Sequence, residues 1–513
     1  MSADVSAVRR VPTAWWFVGA AILVAVAVRI PTLNAPLEPD EAGYLMVAGQ
    51  WHAGGGSLYG GYWVDRPPLL IALFGLADLL GGTVALRLLG CLAAALVVLV
   101  AALLGHAVAP TERKNVTMLW TAGAALAFVS TPFFGAHEVD GELLAVPFVL
   151  AGVLAFIVGR RRLNRVQGWV LVVAAGGFAA AAFLVKQSFP DVFLFVGAWL
   201  VVELVLTRSW SAVVRAAGAF ALGAMAMGVI VVAYSAWKGT GPSGLWDAIV
   251  VFRARAVHLL SGSGSAFRMQ RLDRYPAALL VSGAVVVAVL LLARLVARIR
   301  ARRLDPLVVA TVVMLVWEVA AALAGGSYWM HYLIGLVPGL TLSTAVIVRD
   351  PGRVAVLGRA TITWAVVCSV AAATVWGLRP HHLTDSQAAG EWLEAQQHPG
   401  DTAVVAYGRP DVLAEAGMSS PYPQLWSLPV RVLDPRLHQL TSVMDGSRPP
   451  VWLLEKHDLH MTGIQPSAAE LALQEHYRAV ADVCGYHVYL RDGVDRGVRD
   501  MPDVCQRSVT ASP

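Results

Sequence analysis

The sequence predicts an all-α protein that crosses a membrane many times and ends in a small soluble α/β domain. Of its 513 residues, 57% are hydrophobic and only 14% are charged, and the mean hydropathy is +0.63. Soluble domains are closer to half apolar and one quarter charged. The excess lies in long apolar runs, and the composition becomes that of a soluble protein only after Leu378. We therefore expect membrane helices in residues 1–378 and a soluble domain in residues 379–513.

The apolar runs predict about eleven membrane-spanning helices, since each run approaches the roughly 20 residues that a bilayer requires. The first, from Ala14 to Ile30, is not followed by a small-residue cleavage site. We therefore interpret it as an anchor and not as a removed signal peptide. The other predicted spans are residues 85–108, 117–136, 143–160, 167–185, 190–207, 213–236, 276–297, 306–325, 331–348 and 360–377.

Basic residues set the predicted orientation. Arg9 and Arg10 precede the first helix, which favours a cytoplasmic N-terminus. The later basic loops fall on the same side only if the short apolar segment 68–80 does not cross the membrane. We therefore expect this segment to lie in the outer interface of the membrane, as part of a first outer loop formed by residues 31–87. The C-terminal domain is then extracytoplasmic, and richness in Ala, Val, Leu and Arg suggests a bacterial cytoplasmic membrane.

The net charge of +5 does not indicate nucleic-acid binding, because the arginines cluster at helix ends, where orientation signals lie. One outer loop, residues 238–275, is nevertheless rich in arginine. Such a loop suits contact with anionic membrane lipids or with a phosphorylated lipid, although a merely solvated loop is the alternative.

Residues after Leu378 carry the pattern of a small α/β domain. Predicted helices cover residues 385–397 and 468–477, and predicted strands cover residues 401–407, 450–455 and 486–491. Cys484 and Cys505 lie in this part of the chain and could form a disulfide if it is outside the cell, whereas two free thiols are the alternative. Cys91 and Cys368 lie in apolar runs and are expected to be packing residues.

Two acidic segments follow apolar helices, where charge is costly and usually functional. The first contains Asp40 and Glu41, and the second contains Asp140 and Glu142. The pattern predicts an active site at the outer membrane face, although Asp40 could instead be a helix N-cap.

Arg66 follows the first acidic segment and is itself followed by two prolines that restrict the backbone. A guanidinium held near the lipid headgroups suits bidentate phosphate binding, and an interfacial anchor is the alternative.

The order of these motifs resembles the GT-C glycosyltransferases, most closely the protein O-mannosyltransferase and aminoarabinose (lipid A) transferase group. The resemblance spans Trp15 to about Val348. It rests on the Asp-Glu pair, the Arg-Pro-Pro segment, Gly141 to Phe148, Phe183 to Lys186, and His331-Tyr332-Leu333 with Pro338. It implies a GT-C fold and inverting transfer of a sugar from a polyprenyl phosphate to an envelope polysaccharide, lipid or protein.

The resemblance also implies roles for individual residues. Asp40 corresponds to the catalytic base, with Glu41 beside it, and Glu142 or Asp140 to the second loop acid, where many relatives have Asp. Residues expected to bind the donor phosphate are Arg66, where relatives often have Lys, together with Lys186, His331 and Tyr332.

No cofactor is certain from the sequence, but some members of the resembled family bind a metal near this site. Asp65 and His258 are the candidate pair for a divalent ion, and a hydrogen-bonded loop histidine is the alternative. The resemblance therefore leaves metal-assisted and metal-independent transfer open.

A transporter or flippase for a lipid-linked sugar is the competing interpretation of the whole chain. Transporters place charged groups at the bilayer midplane and often have repeated halves. Here the acids map to outer loops and the sequence shows no repeat, which favours the enzyme. The sugar and the acceptor are not specified by the sequence.

Overall fold

The structure, a computed structural model, describes residues 13–52, 55–261, 266–379, 381–456, 459–460, 463–499, 501, 503–506 and 508–509. Among the described residues, seventeen α-helices precede the tail. They are α1 Thr13–Ala27, α2 Pro39–Gly49, α3 Pro68–Leu79, α4 Thr83–Val108, α5 Lys114–Ser130, α6 Gly141–Arg160, α7 Val166–Val185, α8 Asp191–Thr207, α9 Trp210–Trp237, α10 Pro242–Trp246, α11 Phe252–Ser261, α12 Ala266–Leu272, α13 Arg274–Val281, α14 Ala284–Arg300, α15 Pro306–Ala324, α16 Val337–Val348 and α17 Arg353–Leu378.

The chain is a multi-pass membrane protein. Within the described residues, 8 helices are long and apolar enough to cross a membrane, or up to 9 if the bent segment from Arg268 to Arg300 is one span. Two further predicted spans fold as α5 and α8, each of 17 residues. A helix of that length rises about 25 Å, less than the roughly 30 Å hydrocarbon core. The predicted number of eleven is therefore reached only if both short helices cross.

Glycine allows close packing of the membrane helices. Gly176 on α7 faces Gly223 on α9, and each lies against the backbone of the other helix. A Cβ atom would lie 1.8 Å from the Phe220 carbonyl oxygen at the first position and 1.7 Å from the Val173 carbonyl oxygen at the second. Small residues at such contacts let helices approach within a bilayer, where burial of apolar surface gives little driving force.

The short apolar segment that we predicted at 68–80 is the 12-residue helix α3. Pro67 precedes the helix and Pro68 occupies its first turn, where a missing N–H costs nothing. The helix packs against α2, α4 and α7. It is too short to span a bilayer, in agreement with the sequence pattern.

The tail after α17 contains helices around a small sheet, which agrees with the predicted fold class. Its helices are α18 Asp385–Gln396, α19 Pro410–Glu415, α20 Ser427–Leu433, α21 His438–Met444 and α22 Ser467–His476. Its strands are β1 His381–His382, β2 Ala403–Val405, β3 Trp452–Glu455, β4 Tyr477–Val483, β5 Tyr486–Arg491 and β6 Ser508–Val509.

The main sheet has the strand order β2-β3-β5-β4, with β2 and β3 parallel and the other neighbours antiparallel. The predicted strands at 401–407, 450–455 and 486–491 correspond to β2, β3 and β5. The sequence pattern missed β4, because Arg478 and Asp482 interrupt its apolar residues. Part of the tail packs into the same hydrophobic core as the membrane helices, so the boundary at residue 378 stays a prediction.

The predicted disulfide is present between Cys484 and Cys505, with the Cα atoms 5.4 Å apart. It fixes the C-terminal segment to the turn between β4 and β5. Closing a loop of about 20 residues stabilises the fold by about 3 kcal/mol in the chain-entropy model.

We expect neither Cys484 nor Cys505 to react with an alkylating reagent in the folded protein unless a reductant is added first. Mass spectrometry after labelling in detergent measures this, and Cys368, a free cysteine of a membrane helix, provides the comparison. Full labelling of both tail cysteines without reductant would contradict the bridge.

Candidate active site

Asp40 lies in the first turn of α2. Glu38 and not Asp40 is the N-cap residue, so the interpretation of Asp40 as a simple cap is wrong. The Asp40 carboxylate instead accepts hydrogen bonds from two aromatic side chains. The Tyr44 hydroxyl lies 3.1 Å from Oδ2, and Trp426 Nε1 of the tail lies 2.9 Å from Oδ1.

The surroundings favour the ionised form of Asp40. Burial acts to raise the pKa of this carboxyl group. The positive charges of Arg66, His331 and Lys186 and the hydrogen bond from Trp426 act in the opposite direction, and together they hold its pKa below the usual value. Asp40 is therefore a half-buried carboxylate that is deprotonated at neutral pH, which is the state a general base requires.

Arg66 connects this carboxylate to a wider charged network. Its Nε donates to the Tyr44 hydroxyl at 2.8 Å, and its Nη1 lies 2.8 Å from Asp65 Oδ1. Asp65 also pairs with Arg253 of α11, at 2.6 Å between Oδ2 and Nη2. The Tyr59 hydroxyl donates to the Arg66 carbonyl oxygen at 2.6 Å, which fixes the backbone before the two prolines.

Glu41, predicted beside the catalytic acid, is fully engaged in structural contacts. Its Oε1 accepts from the Val139 amide at 2.7 Å and pairs with Arg87 Nη1 at 2.8 Å, and its Oε2 accepts from the Glu38 amide at 3.0 Å. Arg87 Nη1 also donates to the His137 carbonyl oxygen at 3.0 Å. These contacts join α2 and α4 to the second acidic segment.

Asp140 is the N-cap of α6, and its Oδ1 accepts from the Leu143 amide at 2.9 Å. Its Oδ2 lies 3.7 Å from His331 Nδ1, and the same nitrogen lies 3.1 Å from Glu138 Oε2. Gly135 makes this approach possible, since its φ is +66° and a Cβ atom there would lie 2.9 Å from the His331 amide nitrogen.

Glu138, Asp140 and His331 could together hold a metal ion. Their ligand atoms all lie within 4.8 Å of one another, and Asp140 Oδ2 is buried without a hydrogen-bond partner. Burial and the nearby Glu142 raise the pKa of Asp140, so a cation at this point would satisfy it. Two carboxylates and an imidazole suit a divalent transition metal or zinc.

The predicted metal pair of Asp65 and His258 is not part of such a group among the described residues. Asp65 is instead neutralised by two arginines, Arg66 and Arg253. His258 lies on α11, the helix that carries Arg253. The sequence signal for this group is the spacing of Glu138 and Asp140. The sequence-based prediction included Asp140 as an acid and gave Glu138 no role.

Glu142 and Lys186 form a buried ion pair between the start of α6 and the end of α7. The Lys186 ammonium group also lies 5.2 Å from the centre of the Tyr332 ring. Three residues assigned separately from the sequence are thus brought together at one wall of the site.

A cavity of about 880 Å³ opens beside these groups. Arg66, Lys186, Arg253 and Glu142 lie at its polar side, and Phe183, Phe189, Trp317 and other apolar side chains line the rest. Asp40 is not among the lining residues, because Arg66 and Tyr44 lie in contact with it. The cavity therefore joins cationic groups near Asp40 to an apolar surface within the membrane part of the fold.

Comparison of the whole structure identifies its fold. ArnT from Cupriavidus metallidurans, solved bound to undecaprenyl phosphate, superposes with a TM-score of 0.59 over 93% of this chain and 98% of its own, at 16% identity. The chain has the GT-C glycosyltransferase fold.

The archaeal oligosaccharyltransferase of Archaeoglobus fulgidus has the same GT-C arrangement. Its apo form gives a TM-score of 0.58 over 94% of this chain and 75% of its own, at 11% identity. A complex of that protein, AglB, with an inhibitory peptide and a dolichol phosphate gives 0.52 at 12% identity. No protein-family model and no curated protein sequence matches the chain.

Sequence reasoning missed three members of the site. Arg87 is an arginine inside an apolar run, which is itself a signal of function or pairing in a membrane helix. Tyr44 follows Asp40 by one helical turn, a spacing that brings two side chains together. Trp426 had no sequence signal, since it lies 386 residues after the carboxylate that it contacts.

Proposed function

We propose that this protein transfers a sugar from a polyprenyl-phosphate donor to an acceptor hydroxyl on the outer face of the membrane. The observation that supports it best is the cavity that joins an apolar surface to Arg66, Lys186 and Arg253, with the half-buried, ionised Asp40 in contact with Arg66 through Tyr44. The prenyl chain of the donor needs an apolar surface, and its phosphate needs cationic groups beside that surface. The structural similarity to ArnT bound to undecaprenyl phosphate supports the same donor class.

In this mechanism the acceptor oxygen attacks the anomeric carbon of the sugar as Asp40 takes the hydroxyl proton. The bond between that carbon and the phosphate oxygen breaks, and the polyprenyl phosphate leaves with its electron pair. Attack opposite the leaving group inverts the configuration at the anomeric carbon. Glu41 contributes by fixing α2 against the second acidic segment and not by contacting substrate.

The departing phosphate gains negative charge, and cations near it lower the barrier. Arg66, Lys186 and Tyr332 line the cavity where that phosphate would lie, and the Tyr332 ring lies against the Lys186 ammonium group. Glu142 holds Lys186 in position through their ion pair. Arg253 is a further contributor from α11, and it gives the arginine-rich outer loop a role in donor binding.

A divalent metal fits the group formed by Glu138, Asp140 and His331. A bound metal would supply a fixed positive charge at these three residues. His331, predicted as a phosphate-binding residue, would then act as a ligand, oriented by the two carboxylates.

We expect purified protein loaded with Mn²⁺ or Zn²⁺ to bind about one ion, and Asp140→Asn to weaken metal binding by roughly 10- to 100-fold, as loss of a ligand or its support does elsewhere. Metal content by mass spectrometry after dialysis measures this without an activity assay. The matched control is Asp385→Asn, which changes an exposed acid of the tail. Equal metal content in wild type and Asp140→Asn would contradict the site.

Transport of a lipid-linked sugar is the second candidate, and one feature favours it. Asp191, at the start of α8, and Glu318 of α15 are both buried, and both line the cavity. Acids buried among membrane helices are common in transporters. Against it, the Gly339 amide donates a bifurcated hydrogen bond to the two Glu318 carboxylate oxygens, at 2.8 and 3.1 Å. This bond ties α15 to α16 and gives Glu318 a structural role.

The decisive experiment supplies radiolabelled sugar on undecaprenyl phosphate to purified protein in liposomes with an envelope extract as acceptor. A transferase releases the lipid phosphate and labels a second molecule, whereas a flippase only moves the intact donor across the bilayer. Labelled acceptor that depends on the protein supports the proposal. Movement of intact donor without labelling would replace it with the transporter.

The site must face the outside for this reaction. Reporter fusions after Ile30, within the 238–275 loop and after Leu378 should read as outside, and fusions near Arg113, Arg162, Arg300 and Arg353 as inside. Alkaline phosphatase and fluorescent-protein activities measure the two sides. An inside tail would contradict the proposed orientation and the interfacial assignment of α3.

A further inference from the structure

Trp426 belongs to the tail, yet it reaches the half-buried carboxylate of Asp40 on α2. Its Nε1 donates to Asp40 Oδ1 at 2.9 Å, and its ring lies 5.4 Å from the Tyr44 ring at an angle of 35°. The residue directly precedes α20 and is partly buried. The tail therefore completes the polar surroundings of Asp40.

The tail segment before Trp426 is attached to the first outer loop through the backbone. The Trp63 amide donates to the Pro423 carbonyl oxygen at 3.0 Å. Three residues earlier, the Ser420 amide donates to the Tyr62 hydroxyl at 2.9 Å. These bonds hold the segment that precedes Trp426 against the same loop that carries Asp40.

Helix α2 leaves space for the indole at one position. A Cβ atom on Gly43 would lie 2.2 Å from Trp426 Cζ2 and 2.6 Å from Cη2, distances that two carbon atoms do not reach. The helical glycine costs roughly 1 kcal/mol relative to alanine. A glycine is needed at position 43 because the Trp426 ring packs where a Cβ atom would lie.

We propose that Trp426 is a positioning residue that fixes the orientation of the Asp40 carboxylate for attack on the acceptor hydroxyl. This inference rests on the proposed transfer reaction. An indole N–H is a donor only, so it stabilises the carboxylate and cannot compete for the acceptor proton. Each carboxylate oxygen can accept two hydrogen bonds, and Trp426 and Tyr44 use one on each oxygen. One position on each oxygen is left for the acceptor.

Other charged or titratable groups also act on Asp40, so the Trp426 contribution must be separated from theirs. They are Arg66, Lys186 and His331, which stabilise the anion, Glu138, which opposes it, and the Tyr44 hydroxyl. All of these stay in place when only residue 426 is changed. A substitution there therefore isolates the indole N–H.

The test compares Trp426→Phe with wild type in the sugar-transfer assay across pH. We expect kcat to fall about 10-fold, as loss of one hydrogen bond to a charged group implies, with the donor KM unchanged because the phosphate-binding residues are untouched. Without this donor the pKa of Asp40 rises, so the acid limb of the kcat profile should move to higher pH by about one unit. The matched control is Trp452→Phe, which removes an N–H bonded to Asp401 at 3.2 Å within the tail.

A second variant covers the case in which Trp426→Phe does not fold. Gly43→Ala displaces the ring from α2 and should reproduce the loss in kcat and the shifted acid limb, whereas Gly75→Ala on α3, where a Cβ atom would meet only ordinary contact, should not. Normal kcat and an unmoved acid limb in both Trp426→Phe and Gly43→Ala would overturn the inference. Asp40→Asn is measured in parallel, because full activity of that variant would overturn the transfer mechanism instead.

Discussion

Replacing Asp40 by Asn should reduce sugar transfer by about 100- to 10,000-fold, the range for loss of a general base. The amide cannot accept the proton of the acceptor hydroxyl. Its carbonyl oxygen can still accept the hydrogen bond from Trp426, and its NH2 group can donate to the Tyr44 hydroxyl oxygen, so the local structure should survive. Because Glu38 is the N-cap of α2, the substitution should not weaken the helix start either.

Turnover with polyprenyl-phosphate sugar measures the Asp40→Asn effect, and donor binding measured separately should change little. Asp385→Asn is the matched control, since Asp385 is also an acid in the first turn of a helix but pairs with Lys456 on the tail surface. Near wild-type turnover of Asp40→Asn with bound donor would remove Asp40 from the catalytic role. Another acid of the second segment would then be the base.

Replacing Arg66 by Ala should weaken donor binding by roughly 10- to 150-fold, the equivalent of about 1.5–3 kcal/mol for a hydrogen bond to a charged group. The guanidinium lines the cavity and is held by Asp65 and Tyr44, so it can meet a phosphate without further ordering. Arg66→Lys should retain part of the affinity, because the charge remains while the planar fork is lost.

Equilibrium binding of undecaprenyl phosphate to protein in detergent checks the Arg66 prediction independently of turnover. Arg255→Ala is the control, because Arg255 belongs to the same arginine-rich loop but is exposed and does not line the cavity. Equal weakening by Arg66→Ala and Arg255→Ala would indicate a general electrostatic effect. Unchanged affinity in Arg66→Ala would return the residue to the role of an anchor.

The sequence alone was sufficient for the fold class and for most of the polar residues of the candidate site. In a bilayer, an apolar run of about 20 residues must pair its backbone N–H and C=O groups internally, which a helix does. The helical membrane part therefore follows from composition and run length. Acids next to such runs are costly, and that cost identified the two acidic segments before any geometry was known. The disulfide followed from two cysteines in a soluble tail placed outside.

The tertiary structure decided which contacts each acid makes. Asp40 and Glu41 are adjacent in sequence, but the helix points them in different directions. Asp40 accepts hydrogen bonds from Tyr44 and Trp426, whereas Glu41 pairs with Arg87 and accepts from the Val139 amide. The sequence suggested Asp65 and His258 as metal ligands, but two arginines neutralise Asp65 in the structure. The candidate metal group is instead Glu138, Asp140 and His331.

What the sequence determined by itself is therefore the helical membrane architecture and the presence of carboxylates and cations at one face, because these depend on local hydrophobicity and charge. Only the tertiary structure decided the contact of Trp426 with Asp40, the pairing of Glu142 with Lys186 and the cavity between them. Such contacts join residues far apart in the chain. Their formation depends on how whole helices pack, and no local pattern of residues encodes it.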